Sequence, residues 1–132
     1  MFIRGTREIV EVWAPAKLNL FLEVLKKRPD GFHEIETLMT PVSLFDTLYF
    51  QSTTSNSLTL TLKQPREVPQ KTSAIERLPE GQDNIVVKAA ELLRKSYGVP
   101  QGASMHLVKR IPVASGLAGG SSDAAAVLVA AN

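Results

Sequence analysis

A run of small residues, Ile111-Pro112-Val113-Ala114-Ser115-Gly116-Leu117-Ala118-Gly119-Gly120-Ser121-Ser122, follows the strand-like segment Met105-His106-Leu107-Val108 and opens into alanine-rich sequence from Asp123 onward. Glycine and alanine leave backbone N–H groups uncovered, and the positive end of a following helix points at the same place. That combination suits a phosphate group. Small residues before a helix also serve tight turns and close packing, but a strand before and a helix after are the context an anion-binding loop needs. The spacing excludes two other phosphate loops. No lysine follows the last glycine as in a Walker A loop, and the chain reaches Asn132 without the acidic residue that a dinucleotide fingerprint places about twenty positions on.

Other residues carry chemistry less distinctly. Lys17, between prolines and an alternating apolar run, offers an ammonium that could hold a phosphoryl group; the plainer reading is a solvent-facing side chain. His33 reads as a turn histidine, Asn84 as a helix cap and Lys109 as a solvated strand end. Asp123 reads as a first-turn carboxylate that favours the helix dipole. Of the two basic clusters, Lys26-Lys27-Arg28 reads as a solvated turn, whereas Lys109-Arg110 abuts the glycine loop and could attract phosphate.

These residues must be positioned by a modest number of elements. Ile9 to Trp13 and Leu18 to Leu25 read as two strands separated by Ala14-Pro15-Ala16, and Arg28-Pro29-Asp30-Gly31 as the turn that brings Phe32 and His33 back. Asp46 to Gln51 and Leu58 to Leu62 predict a second hairpin around Ser55-Asn56. The polar, proline-containing stretch 64–82 predicts a mobile loop. A helix is expected from an Asp83 or Asn84 cap to Gly98, with Ile85, Val86, Ala89, Leu92, Leu93 and Tyr97 on its core face. Ala103 to Lys109 predicts a strand into the glycine loop, and a final helix is expected from Ser121. Its apolar end, Val127 to Asn132, lacks a cap, which predicts burial against further sequence or a homodimer.

The 132 residues are 44% hydrophobic and 21% charged, enough for one core. Fifteen basic against thirteen acidic residues give a net charge of +2, without the basic stripe and interleaved aromatics of a nucleic-acid binder, so no nucleic acid is expected. The absence of cysteine excludes disulfides and thiolate metal sites, and two separated histidines do not make a zinc site. No membrane span or leader is evident, and a cytoplasmic location is expected.

The pattern Pro-x-x-x-Gly-Leu-x-Gly-Gly-Ser-Ser-x-Ala-Ala from Pro112 resembles the nucleotide loop of the GHMP small-molecule kinases, departing from their glycine-richest versions at Ala114, Ser115 and Ala118. Ala14-Pro15-Ala16-Lys17-Leu18-Asn19-Leu20-Phe21-Leu22 with Arg28-Pro29-Asp30-Gly31-Phe32-His33 resembles, more specifically, the branch acting on a cytidyl diphospho-methylerythritol in non-mevalonate isoprenoid biosynthesis. The resemblance implies an α+β fold, a mainly antiparallel sheet with helices on one face, like the ribosomal protein S5 domain 2-like N-terminal half of a GHMP kinase. It implies an N-terminal ATP-binding domain of a longer enzyme, transfer of the ATP γ-phosphoryl to a 2-hydroxyl, and Mg2+ as companion ion. Lys17 would assist transfer. Asn19, Phe32 and His33 would hold the small-molecule substrate, with Phe32, usually tyrosine, stacking on cytosine. Asn84 and Lys109 would approach adenine, the loop from Pro112 to Ser122 would hold the phosphates, and Ser121 or Ser122 would reach the metal. The catalytic aspartate would lie beyond this chain. Another GHMP kinase, or a non-catalytic nucleotide- or RNA-binding fragment, is the alternative.

Overall fold

The computed structural model describes residues 1–6, 8–65 and 78–132. Among these, five strands form one sheet, β1 (Phe2–Gly5), β2 (Val10–Lys27), β3 (His33–Thr53), β4 (Leu58–Lys63) and β5 (Gly102–Val108), with two helices, α1 (Ile85–Tyr97) and α2 (Gly119–Ala130). The order across the sheet is β1-β2-β3-β5-β4, with β4 and β5 parallel and every other neighbouring pair antiparallel. The α+β architecture is the expected one.

The two short strands expected around Ala14-Pro15-Ala16 are instead one long strand. Proline cannot donate to a ladder and is tolerated at bulges, and the β2–β3 register shifts between Pro15 and Ala16. Val12, Ala14 and Ala16 on one face of β2 are fully buried, and α2 packs across this strand. The core joins them to Leu48, Leu60, Met105 and Leu107 of the sheet, Val86, Val87 and Ala90 of α1, and Ala126, Val127 and Ala130 of α2. Small side chains on both β2 and α2 let that helix lie close, which sets where its N-terminus points.

The turn at Arg28 to Phe32 forms as its residues dictate. Gly31 takes φ 88°, and Asp30 Oδ1 accepts from the Phe32 N–H at 3.1 Å. The expected second hairpin does not exist. β5 inserts between β3 and β4, so the chain leaves β4 through α1 and returns parallel to it. Gly102 is where this insertion is tightest: a Cβ there would sit 2.0 Å from the Ser57 carbonyl oxygen.

Helix α1 starts at Asn84, whose side chain accepts from the Val86 N–H at 2.9 Å, and ends at Gly98 in the left-handed conformation with φ 64°. Its buried face differs from the expected one. Val86, Val87 and Ala90 are buried, whereas Ile85, Leu92 and Tyr97 are exposed, because the helix turns its narrow small-residue face toward α2 and the sheet. Helix α2 begins at Gly119, two residues before the expected Ser121. The expected mobile loop over 64–82 falls largely outside the described residues.

Candidate functional site

The small-residue loop runs from Pro112 to Ala118, and α2 begins at its end. Ala118 is the N-cap of α2 with φ 59°, and among the described residues no side-chain hydrogen bond caps the helix. The first-turn amides of any helix lack a partner within it, and among the described residues no side chain supplies one here. Ala114 is also left-handed, with φ 57°, and so is Gly116, with φ 75°. The loop is braced internally by the Ser115 hydroxyl, which donates to the Pro112 carbonyl at 2.7 Å.

A cavity of about 420 Å³ lies against this loop. Every residue from Pro112 to Ser121 lines it, together with Asn84 and Lys109, so the structure brings these expected site residues to one place. Ser122 does not line it; its N–H is used inside the helix, donating to the Ala118 carbonyl at 2.9 Å. The other lining residues are the apolar Leu62, Leu78, Ile85 and Leu107 and the carboxylate Asp123. Ile85, expected in the core, thus forms a wall of the cavity. An anion-binding rim beside an apolar slot has the chemistry to take a phosphorylated planar group.

Lys17 lies beside the loop, its backbone N–H donating to the Leu117 carbonyl at 3.0 Å. Asn19, Phe32 and His33 do not line this cavity. They are exposed along the outer half of the β2–β3 ribbon, with His33 paired to Lys27 at its far end.

Asn84 is the helix cap expected of it: Oδ1 accepts from the Val86 N–H and Nδ2 donates to the Pro79 carbonyl at 2.7 Å. Two other readings are corrected by burial. Lys109 is no solvated strand end. It is 4% exposed, and its ammonium is held between Asp46 and Asp123, the latter at 2.7 Å. Asp123 likewise is not a surface carboxylate serving the helix dipole; it is 2% exposed, beyond the first turn, and faces Lys109. Two carboxylates claim the one ammonium, so its charge is already committed.

Sequence reasoning missed Asp46. Its Oδ1 accepts from the backbone N–H groups of Arg110 at 2.5 Å and Ile111 at 2.9 Å, and its Oδ2 faces the Lys109 ammonium. The available signal was a lone acid inside the apolar strand Leu44-Phe45-Asp46-Thr47-Leu48. Burial first, then the Asp46 charge, raise the Asp123 carboxyl to about 7 against the pull of Lys109. Asp46 accepts from three donors and Asp123 from one, so the burial of the Asp123 carboxyl is the less compensated. Burial works against the Lys109 ammonium, but the two carboxylates outweigh it and hold its proton more tightly than usual.

Residues 84–132, which contain α1, β5, the loop and α2, match the GHMP kinases N terminal domain. A 4-diphosphocytidyl-2-C-methyl-D-erythritol kinase of Pelotomaculum thermopropionicum is 45% identical over 124 residues, 94% of this chain and 39% of the relative. The chain is a relative of the GHMP kinases. An enzyme of the same name from Synechococcus sp. is 47% identical over 125 residues, 94% of this chain and 37% of that one. The crystal structure of 4-(cytidine 5'-diphospho)-2C-methyl-D-erythritol kinase superimposes with TM-score 0.69 at 41% identity, covering 91% of this chain and 38% of that one. Homoserine kinase from Cytophaga hutchinsonii superimposes with TM-score 0.68 at 17% identity, over 100% of this chain and 37% of that one, a likeness of fold alone. The chain therefore spans 37–39% of the length of these curated GHMP kinase relatives.

Proposed function

We propose that this chain is the nucleotide-binding N-terminal domain of an ATP-dependent kinase that phosphorylates the 2-hydroxyl of 4-diphosphocytidyl-2-C-methyl-D-erythritol, a step of non-mevalonate isoprenoid biosynthesis in the cytoplasm. The observation that carries the reading is the uncapped, left-handed start of α2 opening onto a cavity that Leu62, Leu78, Ile85 and Leu107 also line. Phosphoryl transfer depends on positioning and charge neutralisation, and the amides of Gly116, Gly119 and Gly120 would supply donors for the phosphate oxygens. The apolar wall of Leu62, Ile85 and Leu107 takes the base. Magnesium bound with the nucleotide would supply charge neutralisation for the phosphates. Of the two candidate serines, Ser121 lines the cavity and is the one whose hydroxyl could reach that ion.

Lys17 would present its ammonium to the transferring group beside Leu117, and the ribbon bearing Asn19, Phe32 and His33 would hold the cytidyl end of the acceptor. The relatives named for this acceptor, at 45% and 47% identity, favour it over the other GHMP kinase acceptors. Two measurements test the reading. A non-hydrolysable ATP analogue with magnesium, titrated into the 15N-labelled chain, is expected to bind weakly and to shift the amides of Gly116, Gly119 and Gly120; shifts absent there sink it. The chain alone is expected to show negligible turnover with ATP and the cytidyl acceptor. Transfer by a protein of the relatives' full length carrying this domain to homoserine or mevalonate, and not to the cytidyl compound, would move the assignment within the family.

A further inference from the structure

We propose that Lys109 is a strut beneath the phosphate loop, and that Asp46 and Asp123 are the positioning residues that hold it and so fix the separation of the loop's two ends. The inference rests on the nucleotide reading above and gives Lys109 a place behind the nucleotide rather than against its base.

The loop departs at Ile111 and returns at Gly119. At the departure, Asp46 of β3 binds the N–H groups of Arg110 and Ile111, which pins the chain to the sheet. At the return, Asp123 of α2 lies 2.7 Å from the Lys109 Nζ, which also meets Asp46. One buried ammonium thus joins the sheet side of the loop to the helix side. The two ends also touch directly: a Cβ on Gly119 would stand 3.0 Å from Ile111 Cγ2 and 3.3 Å from the Lys109 Nζ. No spare room exists between them.

The surroundings single out Lys109 for this task. The Arg110 guanidinium turns away to the Thr47 hydroxyl at 2.8 Å. Among the described residues, the buried side chains of β2 (Val12, Ala14 and Ala16) and of α1 (Val86, Val87 and Ala90) are apolar. Asp123 Oδ1 has no hydrogen-bond partner among the described residues, so the tie to Lys109 is what compensates its burial. An ammonium shared by two buried carboxylates is committed to the wall of the cavity that it lines. Since amide donors must match phosphate oxygens to within fractions of an ångström, widening the loop base would weaken binding even with every donor present.

The test uses the whole 15N-labelled chain. Asp123→Ala removes the far end of the strut and leaves Lys109 paired with Asp46, whereas Asp123→Asn keeps an oxygen for the ammonium. Asp123→Ala is expected to loosen the amides of Gly116, Gly119 and Gly120 in relaxation measurements while α1 and β4 keep their order, and to weaken the magnesium complex of a non-hydrolysable ATP analogue about tenfold or more. Asp123→Asn is expected to restore both. Gly119→Ala, which pushes a methyl against Ile111 and Lys109 with all charges intact, should reproduce the loss, and it decides the matter in the same terms if Asp123→Ala does not fold. Unchanged loop order and affinity, or loosening spread equally through α1 and β4, overturns the strut. If the unaltered chain ignores the analogue, the nucleotide reading falls and loop order alone decides the strut.

Discussion

Ala114 and Ala118 hold left-handed backbone angles that cost a residue with a Cβ about 1 kcal/mol or more. Ala118→Gly is therefore expected to stabilise the fold by up to about 1 kcal/mol, read from denaturant unfolding, the gain being reduced by the freedom glycine adds to the unfolded chain. Asp123 gives a pH signature of its own. Folded, its carboxyl holds a proton up to about 7; unfolded, it releases it near 3.8, so the folded state binds more protons between these values. This contribution to stability is complete below the lower value and is lost as pH rises through the upper one. The unfolding midpoint of the unaltered chain relative to that of Asp123→Asn should accordingly fall from pH 4 to pH 8, and a constant offset would contradict the assignment of the proton to Asp123.

At the scale of elements, the caps and close approaches are the points where one side chain decides a segment. Asn84→Ala removes both the cap of α1 and the tie to Pro79 and should cost about 1–2 kcal/mol by thermal or denaturant melting. Gly102→Ala forces a methyl into the Ser57 backbone and should cost about 3 kcal/mol or prevent the β4–β5 pairing, visible as lost amide protection in both strands. The same scale explains what could be read from sequence. The turn at Gly31, the ends of α1 and the loop before α2 depend on neighbours in the chain, and their residue types declare them. Whether β4 pairs with β3 or β5 depends on contacts across more than forty residues, from Leu58 to Ala103, which alternation within a strand does not encode. The α1 face was misassigned because Val87 and Ala90 fit a buried stripe as well as Leu92 and Tyr97 do, and only the position of α2 chooses between them. Within the site, the loop was legible; Asp46 was not, since its partners are 63 to 65 residues away.

Over the whole molecule, order is unevenly distributed. The half of the β2–β3 ribbon from Leu18 to Met39 extends past β1 and β5, with Leu20, Phe21, Leu22, Val24, Ile35, Leu38 and Met39 exposed, and a two-stranded ribbon has little stability of its own. Hydrogen exchange should be fastest in Leu18 to Met39 and slowest in Val10 to Trp13 and Thr47 to Phe50, where strands on both sides and the helix layer protect the same ladder. Equal protection along the whole ribbon would contradict this gradient. The amide hydrogen of Lys17, given to Leu117, joins that outer ribbon to the glycine loop through a single main-chain link. A shift of the loop would thereby be passed to the strand that carries Lys17, the two being registered against each other by one peptide group.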